Sequence, residues 1–385
     1  MKIVSKTVDE IEASLTLRID SKAKALKKSG KDLVLFTAGE PDFDTPQKVK
    51  EAAIEAINAN FTKYTKSSGI IELREGICQK LEKDNGLKYS PDEIVVSNGG
   101  KQALFNIFGA ILNPSDEVIV MTPAWVSYFP QIRLWKGVPV EVKTFPENGY
   151  LPQKEDLERA INERTKAILF NSPNNPTGTV YDVKTLEMIA NIAQKYDLYV
   201  VTDEVYEKMV YDIPHVSIAS FDGMKKRTLI INGFSKSHAM TGWRVGYSVA
   251  PLEISKQISK IQSHTTSNIN SIAQMAALKA LSVDTKYMMD EYKKRRDLIS
   301  DMLEKANFKF FKPKGAFYVM IDVNEFLNDG KSTEDLCMEL MENAGVAMIP
   351  ADAFGAKGFV RVSFATSQEL IKKGIERFAK YLKKS

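Results

Sequence analysis

Two cysteines and three histidines are all that this chain of 385 residues carries of either type. Cys78 and Cys337 are too few for a disulfide framework or a cysteine-built metal site. The histidines, His215, His238 and His264, are too scattered to give metal-ligand spacing. Long apolar runs are missing as well, so nothing in the sequence reads as a membrane span. Residues 1–9 are charged and hold no apolar stretch of the secretory type, so a reducing cytoplasm fits best. Charge of one sign is also lacking: the net charge is +4, spread along the chain, which leaves no footprint for nucleic acid. The run Lys293-Lys294-Arg295-Arg296 reads as a solvated helix face.

What is present is ordinary for a globular protein, with 44% hydrophobic and 26% charged residues. The length exceeds what one core supports, so two domains, or one large domain with a satellite, are expected. From Glu93 to about Ala250, short apolar runs alternate with helical patterns. Ile94-Val95-Val96, Glu117 to Val120, Pro139 to Val142, Ala167 to Phe170, Leu198 to Val201, Leu229 to Ile231 and Val245 to Val249 read as strands. Most are continuously apolar, the mark of strands covered on both faces, so the fold class is α/β with a mainly parallel sheet. Residues 253–304 read as one long polar helical stretch. Beyond Phe308, strand-like pieces at Phe317 to Ile321 and Phe359 to Ser363 among helical patterns suggest a smaller α+β unit. Near the N-terminus, Ile11 to Lys28 is helical in pattern.

Four features fall at or just beyond strand ends, where open α/β sheets bind ligands. Ser97-Asn98-Gly99-Gly100-Lys101 joins a strand to a helix and offers backbone N–H groups and a helix N-terminus to an anion. Asn171-Ser172-Pro173-Asn174-Asn175-Pro176-Thr177-Gly178 specifies a rigid turn that admits a cis X–Pro bond, and a buried Asn175 amide needs a polar partner. Asp203 either caps a following helix or pairs with a cation. Lys236, in Gly233-Phe234-Ser235-Lys236-Ser237-His238, is a lone amine beyond a buried strand, followed by Arg244.

Together these make an inventory for pyridoxal 5′-phosphate. Lys236 answers the aldehyde and Asp203 the pyridinium nitrogen. Asn175 and Tyr206 suit the phenolic oxygen. Gly99, Gly100, Lys101, Ser235 and Arg244 suit the phosphate, and Trp125 can cover a ring face. With these residues in view, the whole chain resembles the class I aminotransferases of fold type I, specifically the bacterial aspartate aminotransferase branch. The lysine run from Gly233 to Gly246 fits the family's attachment signature at every position. Gly39-Glu40-Pro41-Asp42-Phe43 and Phe359-Val360-Arg361-Val362-Ser363 are further matches.

The resemblance implies a large cofactor-binding domain over residues 46–285, with a seven-stranded mainly parallel mixed sheet between helices. It implies a smaller α+β domain built from residues 286–385, which the segment 1–45 joins. It also implies a homodimer with shared active sites, in which Tyr64 reaches the phosphate of the partner's cofactor. Lys236 would hold the cofactor as an aldimine and, once freed, move the substrate's α-proton. Arg361 would clamp the α-carboxylate, with Gly39, Asn175 and Trp125 beside it. The implied activity is transfer of the amino group of L-aspartate, or a similar amino acid, to 2-oxoglutarate with ping-pong kinetics. Aromatic aminotransferases and β-lyases on the same scaffold are the alternatives. Ser14 and Thr16 are family-compatible contacts for a second carboxylate. Glu12 stands where relatives that use prephenate carry a basic side chain. Gly109 offers no side chain where relatives place a lysine, which weakens strict aspartate preference.

Overall fold

The computed structural model describes residues 5–9, 11, 15–328 and 330–383. In chain order its strands are β1 (Val34–Leu35), β2 (Ile94–Ser97), β3 (Glu117–Thr122), β4 (Val138–Lys143), β5 (Thr165–Asn171), β6 (Tyr199–Asp203) and β7 (Thr228–Gly233). They continue with β8 (Gly246–Val249), β9 (Phe310–Phe311), β10 (Tyr318–Asp322), β11 (Val346–Ala347), β12 (Ile349–Pro350) and β13 (Phe359–Ser363). Seven of them form one sheet in the order β2-β8-β7-β6-β5-β3-β4. Strand β8 runs antiparallel to both neighbours, and the other pairs are parallel.

The apolar continuity of these strands has the expected cause. Ile168, Leu169, Val200, Val201, Leu229 and Ile230 are fully buried, because helices cover both faces of the sheet. Each such side chain contributes about 1.5–3 kcal/mol by leaving water, enough to outweigh weak local propensities. Strand β4 lies at the sheet edge, and most of its side chains are correspondingly exposed or half-buried.

A second, antiparallel sheet has the order β12-β13-β10-β9. The helix Leu15–Lys28 packs near β11 and β12, and β1 pairs in parallel with β11. The stretch 253–304 differs from its sequence reading. It forms three helices, Leu252–Thr265, Ser271–Ala280 and Lys286–Lys305. The first break falls where Asn270 caps its successor by accepting from Ala273 N. The middle helix is largely apolar and packs on the helix Gln47–Asn58.

The main sheet positions the site through its register. Asn171 at the end of β5 is paired with Asp203 at the end of β6. Beyond β7 the chain enters the turn that carries Lys236. Between β2 and β8 the backbones approach so closely that a Cβ on Gly246 would lie 2.3 Å from Gly100 N. Only glycine fits there. The peptide bonds before Pro173 and Pro176 are cis, as is the one before Pro123.

Candidate active site

The strand ends open on a cavity of about 450 Å³. Gly100, Lys101 and Trp125 line it from the β2 and β3 side, and Asn175, Asp203 and Tyr206 from the centre. Ser235, Lys236 and Arg244 line it from the β7 side, while Gly39 enters from the loop after β1 and Arg361 from the smaller sheet. Two predicted residues do not line it. Gly99 lies behind Arg244, and its φ of +80° with a Cβ position 2.6 Å from Arg244 Nη2 demands glycine. Tyr64 is 91% exposed and is not among the residues lining its own chain's cleft. Thr16 lines the cavity, whereas Ser14 and Glu12 fall outside the described residues.

Asp203 caps no helix, since the chain goes on into a turn. Its carboxylate accepts from Tyr128 Oη at 2.8 Å and Val205 N at 3.2 Å. Burial raises its pKa to about 6 against those two hydrogen bonds. Burial likewise lowers the Lys236 amine to about 8, although Glu40 pulls the other way. Lys236 Nζ donates to Gly39 O at 2.5 Å. Arg361 is buried on β13, with Nη1 donating to Asn175 Oδ1 at 3.0 Å and Nη2 to Thr37 O at 3.1 Å. Its guanidinium carbon lies 4.5 Å from the Tyr318 ring centroid and 4.9 Å from that of Phe354. Its Nε is buried and has no hydrogen-bond partner among the described residues.

Asp203, Lys236 and Arg361 thus face one cavity, and none has an ion-pair partner among the described residues. Unpaired buried charges are costly, so the arrangement suits a ligand that brings the complementary groups. Pyridoxal 5′-phosphate meets that test. Its ring nitrogen suits Asp203 and its aldehyde Lys236. Gly100, at the head of the helix Gly100–Ile111, lines the cavity beside Ser235 and Arg244, which suits a phosphate.

Several residues of the site carried no assignment from the sequence. Tyr128 holds Asp203. Asn171 ties the centre together, with Nδ2 donating to Asp203 O and Oδ1 accepting from Asn175 N, both at 2.7 Å. Gly109 requires a correction: a Cβ there would meet the Trp135 ring at 2.5 Å, and the residue does not line the cavity. Its missing side chain therefore says nothing about a distal carboxylate. The cation facing the cleft on that helix is Lys101, whose Nζ lies 4.9 Å from the Trp125 ring centroid. The histidines are less isolated than their spacing suggests. His215 Nε2 lies 3.3 Å from Glu204 Oε2, and these two share a buried cluster with Glu207. Glu207 is already paired with the Lys80 ammonium.

This geometry gathers a lysine, an aspartate and an arginine around one cavity on an α/β scaffold, and comparison with known proteins gives the class. The chain belongs to the family of class I and II aminotransferases, whose pattern matches residues 31–378. It is an aminotransferase. The aspartate aminotransferase of Thermotoga maritima is 47% identical over 380 residues, covering 99% of both chains. The aspartate/prephenate aminotransferase of Thermus thermophilus is 45% identical over 388 residues, again covering 99% of each. The solved structure of the Thermus thermophilus aspartate aminotransferase with maleate superposes with a TM-score of 0.93 at 44% identity. It matches 99% of this chain and 100% of that one.

Proposed function

We propose that the chain is a pyridoxal-phosphate enzyme that moves the amino group of L-aspartate to 2-oxoglutarate. The observation that carries this reading is the convergence of half-buried Lys236 with buried Asp203 and Arg361 on one cavity, none of them ion-paired among the described residues. When bound, the cofactor supplies an aldehyde that condenses with amines and a ring that withdraws electrons from the attached carbon. Asp203 keeps a protonated ring nitrogen paired, and Tyr128 holds that carboxylate in place. Tyr206 and Asn175 face the phenolic oxygen. Gly100, Ser235 and Arg244 would hold the phosphate, with Tyr64 added from the partner of a homodimer.

Lys236 tethers the cofactor until substrate displaces it. Burial then leaves an amine with a pKa of about 8, suited to taking the α-proton near neutral pH and returning it. Arg361 grips the α-carboxylate in two-pronged fashion, since Asn175, Thr37 and two ring faces fix its plane. Lys101, over Trp125 and without an ion-pair partner among the described residues, takes the substrate's second carboxylate rather than the phosphate. Maleate, bound by the Thermus thermophilus relative, is a dicarboxylate with a four-carbon skeleton like that of aspartate. Return of the amino group to 2-oxoglutarate reverses the steps, which gives ping-pong kinetics. The site of action is the cytoplasm.

The test is reconstitution of the purified protein with pyridoxal phosphate. A visible band that borohydride abolishes is expected, along with oxaloacetate formation from aspartate and 2-oxoglutarate. Pyruvate release from cystathionine, or turnover of aromatic donors alone, would replace the proposal with one of the alternatives. Lys101→Ser is expected to lower kcat/KM for aspartate about tenfold or more, the worth of a charged hydrogen bond, while sparing alanine. Equal losses for both donors would contradict the role given to Lys101.

A further inference from the structure

Tyr318 lies in Gly315-Ala316-Phe317-Tyr318, a context that reads as plain strand, yet it touches three parts of the site. It is completely buried at the start of β10. The sheet register explains its position. Met320 is paired with Arg361 across β10 and β13, and Tyr318, two residues earlier, shares the same face of the pleat. Its ring therefore covers the Arg361 guanidinium, opposite Phe354. Its hydroxyl stands 3.0 Å from that of Tyr206, and the two rings meet edge-on at 82°. A Cβ on Gly39 would lie 3.7 Å from the same hydroxyl.

Neither hydroxyl has another hydrogen-bond partner among the described residues. Burial pushes both phenols up, so each holds its proton at neutral pH. The pair can therefore be arranged in two ways. If Tyr206 donates to Tyr318, its only proton is used away from the cleft. If Tyr318 donates to Tyr206, the Tyr206 proton is free for an acceptor in the cavity. An oxyanion on a bound ligand selects the second arrangement.

We propose that Tyr318 is a positioning residue that couples the two halves of the site. Its hydroxyl donates to Tyr206, which turns the Tyr206 proton toward the cofactor's phenolic oxygen, while its ring fixes the plane of Arg361 for the substrate's carboxylate. The inference rests on the cofactor reading above. Hydrogen bonds in a chain polarise one another, so Tyr206 is a stronger donor with Tyr318 behind it. Loss of the Tyr318 hydroxyl leaves more negative charge on the phenolic oxygen, and the chromophore holds its titrating proton more tightly.

The experiment compares wild type, Tyr318→Phe and Tyr318→Leu, each reconstituted with pyridoxal phosphate and titrated by visible absorption. Wild-type protein without a pH-dependent band overturns the cofactor reading and this inference with it. Given that band, Tyr318→Phe is expected to move its midpoint up by about half a pH unit while KM for the amino donor stays within about twofold. Tyr318→Leu, which also strips the ring from Arg361, is expected to raise KM about fivefold, as loss of a partly desolvated cation–π contact does. An unmoved midpoint in the Phe variant overturns the hydroxyl's role. An unchanged KM in the Leu variant overturns the ring's.

Discussion

Replacing Lys236 with methionine should make the cofactor-free protein more stable, not less. The amine sits in the cleft without an ion-pair partner among the described residues, and burial lowers its pKa from 10.5 to about 8. A gap of about 2.5 units corresponds to about 3 kcal/mol of disfavour for the ammonium. Losing the hydrogen bond to Gly39 O takes back about 1 kcal/mol. Methionine keeps the length of the side chain, so no large cavity opens. The expected net gain for Lys236→Met at pH 7 is about 2 kcal/mol. Its pH dependence follows from the sign of the shift. The folded value lies below the unfolded one, so the unfolded chain binds the extra proton between about pH 8 and 10.5. The wild type therefore gains stability as pH rises through that window, and the variant's advantage shrinks. Urea unfolding of the cofactor-free proteins by circular dichroism at pH 7 and pH 9.5 reads both effects. A variant less stable than wild type at pH 7, or a gain of equal size at both pH values, would refute the reasoning.

Three further outcomes are expected. Arg361→Ala should cost about 1.5–3 kcal/mol in kcat/KM, the worth of hydrogen bonds to a charged group, and an unchanged value would place the substrate carboxylate elsewhere. Gly246→Ala puts a methyl group 2.3 Å from Gly100 N, so apoprotein titrated with pyridoxal phosphate should bind at least about tenfold more weakly; wild-type affinity would show that the backbone there yields. Burial alone would raise the Glu207 carboxyl, but Lys80 outweighs it and holds the group at about 2. Lys80→Met should cost about 3–5 kcal/mol at pH 7, and it should remove the stability that the wild type loses as pH falls from 4.5 toward 2; thermal unfolding at pH 3 and pH 7 checks both.

Most strands of the main sheet were legible because burial on both faces writes itself as unbroken apolar runs; β4, exposed at the edge, has no such run. The places of Lys236, Asp203, Asn175 and Gly100 around the cavity were legible because each chemical type stands at or shortly after such a run. Asn171 could have been found in the same way, since it ends β5 as Asp203 ends β6. Tyr128 and Tyr318 could not. One arrives from the short helix Tyr128–Leu134, the other across a second sheet, and nothing local marks either as facing the cleft. Composition also misled in places. The polar stretch 253–304 hid its two breaks, although the Asn270 cap was there to be read. Gly109 looked like a missing ligand until Trp135 was seen to fill its space.

The clamp and the chemistry hang from different sheets. Asp203 and Lys236 follow strands of the larger one, whereas Arg361 and Tyr318 belong to the smaller. Tyr318 nonetheless bridges them: a change there would reach Tyr206, beyond β6, as well as Arg361, its neighbour on β13. Two sheets that share no strand answer to one side chain, so neither half of the proposed site is free to vary alone.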